Sequence, residues 1–107
     1  MPVIQEVATD SGKFMGYMAW CPGCEFMHVI YTMRDPKYPK RPCWDFNGDM
    51  VHPTFTPSLL VSRTYGDNRE PRRCHSFIKG GKWEFLNDST HHLAGKIVDM
   101  VDVDTKR

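Results

Sequence analysis

The stretch Cys74-His-Ser-Phe-Ile-Lys-Gly-Gly-Lys-Trp-Glu-Phe-Leu86 decides how this chain folds. Its central Gly80-Gly81 lies between two runs that favour strands, which is typical of a β-hairpin with a two-residue turn. The resulting register pairs Lys79 with Lys82, Ile78 with Trp83, Ser76 with Phe85, and Cys74 with Asn87. We therefore expect a hairpin whose two strands lie within this stretch.

Side chains alternate between the two faces of such a hairpin. One face carries the residues expected in the core, which are Cys74, Ile78, Trp83 and Phe85. The more mixed face, where a functional group can meet water or a ligand, carries His75, Phe77, Glu84 and Leu86. Cys74 and His75 are therefore expected to point in opposite directions unless a bulge intervenes.

The rest of the chain also favours strands. Eight prolines and eight glycines interrupt it, and no apolar pattern of helical period continues beyond two turns. Further strands are expected at Phe14–Trp20, Met27–Met33, Trp44–Phe46, Leu59–Tyr65 and Ile97–Val101. We predict a mainly β fold, a small antiparallel sheet or sandwich, in a single domain that spans residues 1–107.

A short helical turn near the C-terminus is expected after the hairpin, and Gly95 can end it. Its start can be capped by Asp88, Ser89 or Thr90. His91 falls in the first turn of this segment. Because Asn87 is the expected cross-strand partner of Cys74, a tight turn places the His91 imidazole beside the Cys74 thiol.

The cysteines indicate a metal site. The segment Cys21-Pro-Gly-Cys24 can form a knuckle whose thiolates and backbone amides suit tetrahedral Zn²⁺. A redox dithiol shares this spacing, but it usually opens a helix, whereas a strand-like run follows here. Disulfides are the other alternative, and they are disfavoured because the N-terminal sequence does not resemble an export signal.

The preferred zinc ligands are Cys21, Cys24, Cys74 and His91. The hairpin register places Cys74 on the buried face, and the turn that follows returns His91 to the same region. The identity of the fourth ligand stays open, since His28 or His75 can take the place of one member. Cys43 is interpreted as a small, partly buried residue.

Charge and hydropathy restrict the partners. The formal net charge of +1 provides no bulk field toward nucleic acid or anionic membranes. Two expected loops, Arg34–Pro42 and Gly66–Arg73, each carry a basic cluster, which we interpret as solvated. Nucleic acid is therefore not expected as a partner. The clusters are Lys37, Lys40 and Arg41 in the first loop and Arg69, Arg72 and Arg73 in the second. No apolar run reaches the roughly 18 residues that span a bilayer. We expect a cytoplasmic protein whose partner is another protein.

The stretch Pro53-Thr-Phe-Thr-Pro-Ser58 is interpreted as an extended, proline-stiffened segment that leads into a strand and can hold a cis proline. Ser58 is interpreted as a structural residue, because no Gly-x-Ser-x-Gly elbow surrounds it.

Six motifs in order resemble a family of small phage and bacterial zinc-binding proteins that is catalogued as a domain of unknown function. The motifs are Trp20-Cys-Pro-Gly-Cys24, His28, Trp44-Asp-Phe-Asn-Gly-Asp49, Pro53-Thr-Phe-Thr-Pro-Ser58, Cys74-His-Ser-Phe-Ile78 and Thr90-His-His-Leu-Ala-Gly95. The resemblance covers roughly residues 17 to 98. It implies a phage-derived protein, in the host cytoplasm, that binds zinc through its Cys and His motifs.

Some members of that family carry the label "ammonia monooxygenase", which is not carried over because no ligand set for copper or di-iron oxygen chemistry stands out. Many members have a cysteine at the position of Ser89, so the resemblance implies that His91, His75 or water completes the site here. Some bacterial relatives occur near ubiquitin-like conjugation genes, and a peptidase role has been suggested for them.

Two functions remain open at this level. The first, which we favour, is a zinc-stapled interaction or accessory module without enzymatic activity. The alternative is a zinc-dependent hydrolase or peptidase, in which metal-activated water attacks a carbonyl with His75, His28 or Asp88 as the proton carrier. The number of protein ligands distinguishes them, because a structural zinc site has four and a catalytic site usually has three plus water.

Overall fold

The computed structural model describes residues 2–65 and 70–102, which form eight strands in two antiparallel sheets. The first sheet consists, in spatial order, of β1 (Gln5–Ala8), β2 (Phe14–Cys21) and β3 (Phe26–Tyr31). The second consists, in spatial order, of β4 (Asp45–Phe46), β5 (Phe55–Tyr65), β6 (Glu70–Lys79), β7 (Lys82–Phe85) and β8 (Ile97–Asp99). The predicted mainly β, antiparallel fold is confirmed.

The hairpin of β6 and β7 has the predicted turn and most of the predicted register. Gly80 and Gly81 both have positive φ, at 55° and 81°, as a two-residue turn of type I′ requires. The ladder runs from Lys79–Lys82 to Ser76–Phe85. The predicted pair of Cys74 with Asn87 lies beyond the end of this ladder: β7 ends at Phe85, and the register continues only as far as the amide of Leu86, which donates to the carbonyl of His75 at 2.8 Å.

The core lies between the two sheets. The first sheet contributes Ala19, Cys21 and Ile30, and the second contributes Leu59, Cys74, Ile78, Trp83 and Phe85; each of these is buried. Alternation along the strands explains this set, since the residues between them lie on the outer faces. The buried face that the hairpin pattern predicts is therefore confirmed.

Strand β5 contains a bulge opposite β6. Phe55 lies opposite Ile78 and Leu59 lies opposite Ser76, so four steps along β5 match only two steps along β6. The extra residues are accommodated by a β-bulge, which includes the cis Thr56–Pro57 bond that the sequence allowed for. Ser58 is the last residue of this bulge.

Three sequence-based expectations need correction or completion. The strand β1 was not predicted; it is a short edge strand whose half-exposed residues give a weak pattern. The helical turn near the C-terminus is wrong: residues 91–95 form non-helical turns, because the hydroxyls of Ser89 and Thr90 bond to β6 instead of capping a helix. The expected loop Gly66–Arg73 lies partly outside the described residues, and its positions 70–73 belong to β6.

Within residues 2–65 and 70–102, the structure contains no helix that is long and apolar enough to cross a membrane.

Candidate active site and metal centre

Three polar side chains form a hydrogen-bonded chain on the outer face of the second sheet. The Ser58 Oγ atom lies 3.2 Å from His75 Nε2. The other ring nitrogen of His75, Nδ1, lies 3.1 and 3.2 Å from the two carboxylate oxygens of Asp88. Serine, histidine and aspartate are thus joined in the order that lets a serine lose its proton to an imidazole that a carboxylate holds.

The strands explain why Ser58 and His75 meet. Leu60 lies directly opposite His75 in the β5–β6 ladder, and Ser58, two residues earlier on β5, shares that outer face. The bulge then shifts Ser58 relative to its partner strand. The indole N–H of Trp44 donates to the carbonyl of Ser58 at 3.2 Å, which fixes the backbone at the end of the bulge.

The triad is open to solvent. The side chain of His75 is 27% exposed and that of Asp88 is 45% exposed. Asp88 also has a cationic neighbour, Arg73, whose Nη1 lies 3.7 Å from a carboxylate oxygen. Leu60, beside His75, is 58% exposed, so an apolar side chain of a ligand can contact this face.

A second group of chemically active side chains lies on the inner side of the same sheet. The potential ligand atoms of Cys21, Cys24, Cys74 and His91 all lie within 4.8 Å of one another. Cys21 and Cys74 are buried, while Cys24 and His91 are half-buried. The four residues predicted as zinc ligands are therefore brought together in the structure.

The turn between β2 and β3 has the geometry of a metal knuckle. The amide of Cys24 donates to Cys21 Sγ at 3.4 Å, and the amide of Glu25 donates to the carbonyl of Cys21 at 2.7 Å. Gly23 is required here, because a Cβ at that position would collide with the ring of His91. The knuckle and the imidazole thus pack against each other with no room for a side chain between them.

The spacing of the group fits a tetrahedral zinc ion. The Sγ atoms of Cys21 and Cys74 are 3.8 Å apart, and two sulfurs at about 2.3 Å from one tetrahedral zinc ion are separated by about 3.8 Å. The buried Nε2 atom of His91 has no hydrogen-bond partner among the described residues. A metal bound at Nε2 would satisfy this nitrogen, with the ring proton on Nδ1 in place of the hydrogen bond that Nδ1 accepts from the amide of Leu93 at 3.2 Å.

The thiols of the group perturb one another. Hydrogen bonds from the thiols of Cys21 and Cys74 lower the pKa of Cys24. The bond to Cys24 raises the pKa of Cys21 to about 12, and bonds with Cys21 and then Cys24 raise the pKa of Cys74. Burial lowers the pKa of His91, which favours the neutral imidazole that binds metals. A metal that binds here must displace the protons that the thiols carry.

The two groups occupy opposite faces of one strand. Cys74 points into the core and the next residue, His75, points outward, as the hairpin pattern predicts. The sheet lies between the metal ligands and the triad. His28, the other residue predicted as a proton carrier, is buried with its ring edge-on to Phe26 and Trp83, and it belongs to neither hydrogen bond of the triad.

Sequence reasoning did not predict the contact between Ser58 and His75. It interpreted this serine as structural because the usual elbow motif is lacking, but here a bulge and the register of β5 against β6 bring Ser58 to His75. The available signal was an outward-facing histidine on one strand of the hairpin and a carboxylate just after the other strand, 13 residues later. Cys43 is not part of the metal group, in agreement with its interpretation.

A small all-β protein with a Ser-His-Asp chain on one face and a Cys₃His group behind it is therefore the class that fold and site define. Residues 3–86 match the family model of the bacterial ubiquitination-like system serine protease, BubE, and the chain belongs to this family. No curated protein matches the chain. No solved structure matches it either.

The family corrects the favoured function. An interaction or accessory module without enzymatic activity is wrong, because the family is one of serine proteases. The hydrolase or peptidase alternative agrees better with the family, which is bacterial; the match supports neither a phage origin nor the ammonia monooxygenase label.

Proposed function

We propose that this protein is a serine peptidase in which Ser58 is the nucleophile, His75 the general base and acid, and Asp88 the residue that orients His75. The observation that carries the proposal is the continuous hydrogen-bonded chain from Ser58 Oγ through both ring nitrogens of His75 to the Asp88 carboxylate. The family of serine proteases to which the chain belongs supports it.

The geometry supports acyl transfer in two steps. Ser58 Oγ attacks the carbonyl carbon of the substrate while its proton passes to His75 Nε2, and the Asp88 carboxylate stabilises the imidazolium that forms. His75 then gives this proton to the leaving amine, whose bond to the carbonyl carbon breaks. A water molecule, deprotonated by the same nitrogen, hydrolyses the acyl-enzyme and restores Ser58.

The substrate is proposed to be a polypeptide of a ubiquitination-like system, as the family name indicates. The strands β5 and β6 offer space for it, since a pocket of about 500 Å³ lies further along both strands, next to the residues that flank the triad. Its walls come from Ser62, Thr64, Pro71, Arg72, Arg73 and Thr90. The partner expected from the sequence is in this view the substrate itself.

Covalent labelling tests the nucleophile. A fluorophosphonate probe is expected to modify Ser58 in the wild-type protein, and the Ser58→Ala variant is expected to stay unlabelled. Ser62→Ala is the matched control, because Ser62 is an exposed serine on the same strand and the same face. Mass spectrometry identifies the modified residue. Labelling that persists in Ser58→Ala, or a folded wild-type protein that resists the probe, contradicts the proposal.

The Cys₃His group is proposed to hold a structural zinc ion through Cys21, Cys24, Cys74 and His91. Support comes from the sulfur separation and from the buried Nε2 of His91. With four protein ligands a tetrahedral zinc ion has no position for water, so the metal supplies rigidity and the triad supplies the chemistry.

Metal analysis tests this part separately. The purified protein is expected to contain one zinc ion per chain, and Cys74→Ala is expected to lose most of it. Cys43→Ala is the matched control, since Cys43 lies outside the metal group. Equal zinc contents in the two variants would contradict the ligand set.

A further inference from the structure

The segment that carries Asp88 lies along β6 and bonds to it through hydroxyl groups. Ser89 Oγ accepts a hydrogen bond from the amide of His75 at 3.0 Å and donates one to the carbonyl of His75 at 3.0 Å. The amide of Leu86 donates to the same carbonyl at 2.8 Å. Both backbone groups of the triad histidine are therefore held by the segment on which its carboxylate partner lies.

The next residue, Thr90, makes similar hydrogen bonds to Arg73, which lies two residues before His75 on β6. Thr90 Oγ1 accepts a hydrogen bond from the amide of Arg73 at 2.8 Å, and the amide of Thr90 donates to the carbonyl of Arg73 at 2.8 Å. Serine and threonine hydroxyls thus replace the backbone groups of a missing strand beside β6. Ser89 is buried, so its bonds to His75 are shielded from water.

The residues of the triad and of the metal group alternate along both segments. On β6, Cys74 of the metal group precedes His75 of the triad. On the segment beside it, Asp88 of the triad precedes His91 of the metal group. A metal ion that joins Cys74 to His91 therefore fastens the two segments within a few residues of the contact between His75 and Asp88.

Packing alone holds Asp88 weakly. Its side chain is 45% exposed, and its second neighbour, Arg73, is itself exposed. An exposed carboxylate keeps a defined position only if its backbone is fixed, because its side chain has few neighbours to restrict it. The backbone of Asp88 is fixed on its C-terminal side by Ser89, and then by His91.

We propose that Ser89 and the metal-bound His91 are positioning residues for the triad, which together hold Asp88 against His75. The proposal rests on the function proposed above and adds a role to the metal centre. The zinc ion takes no part in bond making or breaking. It fixes the far end of the Asp88 segment to the strand of His75, and Ser89 fixes its middle.

The Ser89→Ala variant tests the first half, with p-nitrophenyl acetate as the probe substrate. We expect kcat to fall about 10- to 100-fold, as for a misplaced catalytic group, while KM stays within about twofold because no group that contacts substrate is removed. Ser89→Thr is expected to recover most of kcat, since Thr90 makes the same type of contact to Arg73. Zinc content should be unchanged in both variants.

Thr54→Ala is the matched control. Thr54 Oγ1 accepts a hydrogen bond from the amide of Gly80 at 2.8 Å, which is the same kind of hydroxyl-to-backbone bond at the opposite end of β6. Its loss should lower stability slightly and leave kcat unchanged. A kcat for Ser89→Ala equal to that of Thr54→Ala would overturn the positioning role of Ser89.

A readout that is independent of turnover tests the second half. The proton shared by His75 Nδ1 and Asp88 is expected to give a far-downfield NMR resonance in the zinc-loaded protein. Removal of zinc by a chelator should abolish this resonance, accelerate hydrogen exchange at the amides of His75 and Arg73, and slow the labelling of Ser58. Zinc should restore all three. A metal-free protein that stays folded and keeps the resonance overturns the proposal.

The outcomes separate this proposal from the proposed function. If Ser58→Ala remains fully active in the zinc-loaded protein, the triad is wrong and the positioning role fails with it. If Ser58 is essential but Ser89→Ala keeps its full rate, only the positioning role of Ser89 fails. If zinc removal unfolds the whole protein, the resonance and exchange rates are compared in zinc-loaded His91→Ala, in which three cysteines remain to hold the metal but residue 91 is no longer anchored to it. Unchanged values in a folded His91→Ala overturn the role of His91.

Discussion

The carboxylate of Asp88 provides the sharpest test of the triad. Asp88→Asn removes the negative charge but keeps an oxygen that can accept a hydrogen bond from His75 Nδ1. Asp88→Ala removes both the charge and the acceptor. Because the carboxylate lies 3.1 Å from the ring nitrogen, the two variants separate the electrostatic contribution from the orienting one.

The expected magnitude follows from the exposure of the site. Two unit charges about 4 Å apart attract by about 1 kcal/mol in water and about 4 kcal/mol near a protein surface. Because 45% of the Asp88 side chain is exposed, we take an intermediate value of about 2 kcal/mol for its attraction to the imidazolium of His75 in the transition state. Loss of this attraction lowers kcat about 30-fold. Buried triads lose about 10⁴-fold on the same Asp-to-Asn change. We therefore expect kcat to fall about 30-fold in Asp88→Asn and about 100-fold or more in Asp88→Ala.

The assay is the hydrolysis of p-nitrophenyl acetate, together with the rate of fluorophosphonate labelling of Ser58. Asp99→Asn is the matched control, because Asp99 is an exposed aspartate that pairs with Lys82 on the same sheet. It should keep the wild-type rate. If Asp88→Ala also keeps it, the contact between His75 and Asp88 has no catalytic role and the assignment of the triad is refuted.

Three further variants test the core and the metal centre. Ser76→Ala should stabilise the protein by about 1 kcal/mol, because the fully buried Ser76 hydroxyl has no hydrogen-bond partner within the described part of the chain. The expected result is a higher Tm, and a lower Tm would contradict this reasoning. Gly23→Ala should lower zinc content with all four ligands intact, since the added Cβ displaces the ring of His91; full zinc occupancy would show that the knuckle can adjust. Leu59→Ala should lower the free energy of unfolding, measured with urea, by about 2 to 5 kcal/mol because it leaves a cavity in the core. A loss below about 1 kcal/mol would mean that the surrounding core side chains collapse into the cavity.

Local rules were sufficient for the hairpin. Two glycines flanked by strand-favouring runs allow only a short turn, and period-two alternation then assigns Cys74 to the core and His75 to the outer face. The same reasoning grouped the Cys21–Cys24 knuckle with Cys74 and His91. That grouping agrees with the structure although the strand ladder ends before the Cys74–Asn87 pair and the helical turn used to derive it is not formed.

The triad could not be derived in this way. Its proposed nucleophile and base, Ser58 and His75, lie on neighbouring strands, and their contact depends on the β5–β6 register and on the bulge before Leu59. Alternation along a single strand carries no information about how it is shifted against the next one. The three polar residues 88–90 were equally ambiguous, because the same side chains can cap a helix or bond to a neighbouring strand.

The sequence by itself therefore determined the β class, the turn at Gly80-Gly81, and the inward or outward direction of each hairpin side chain. Each of these depends on interactions between residues that are close in the chain. Only the tertiary structure decided that Ser58 meets His75 and that Ser89 bonds to β6 rather than to a helix. Both outcomes depend on which distant backbone groups are near enough to compete for a hydroxyl, and that is settled only when the sheets pack.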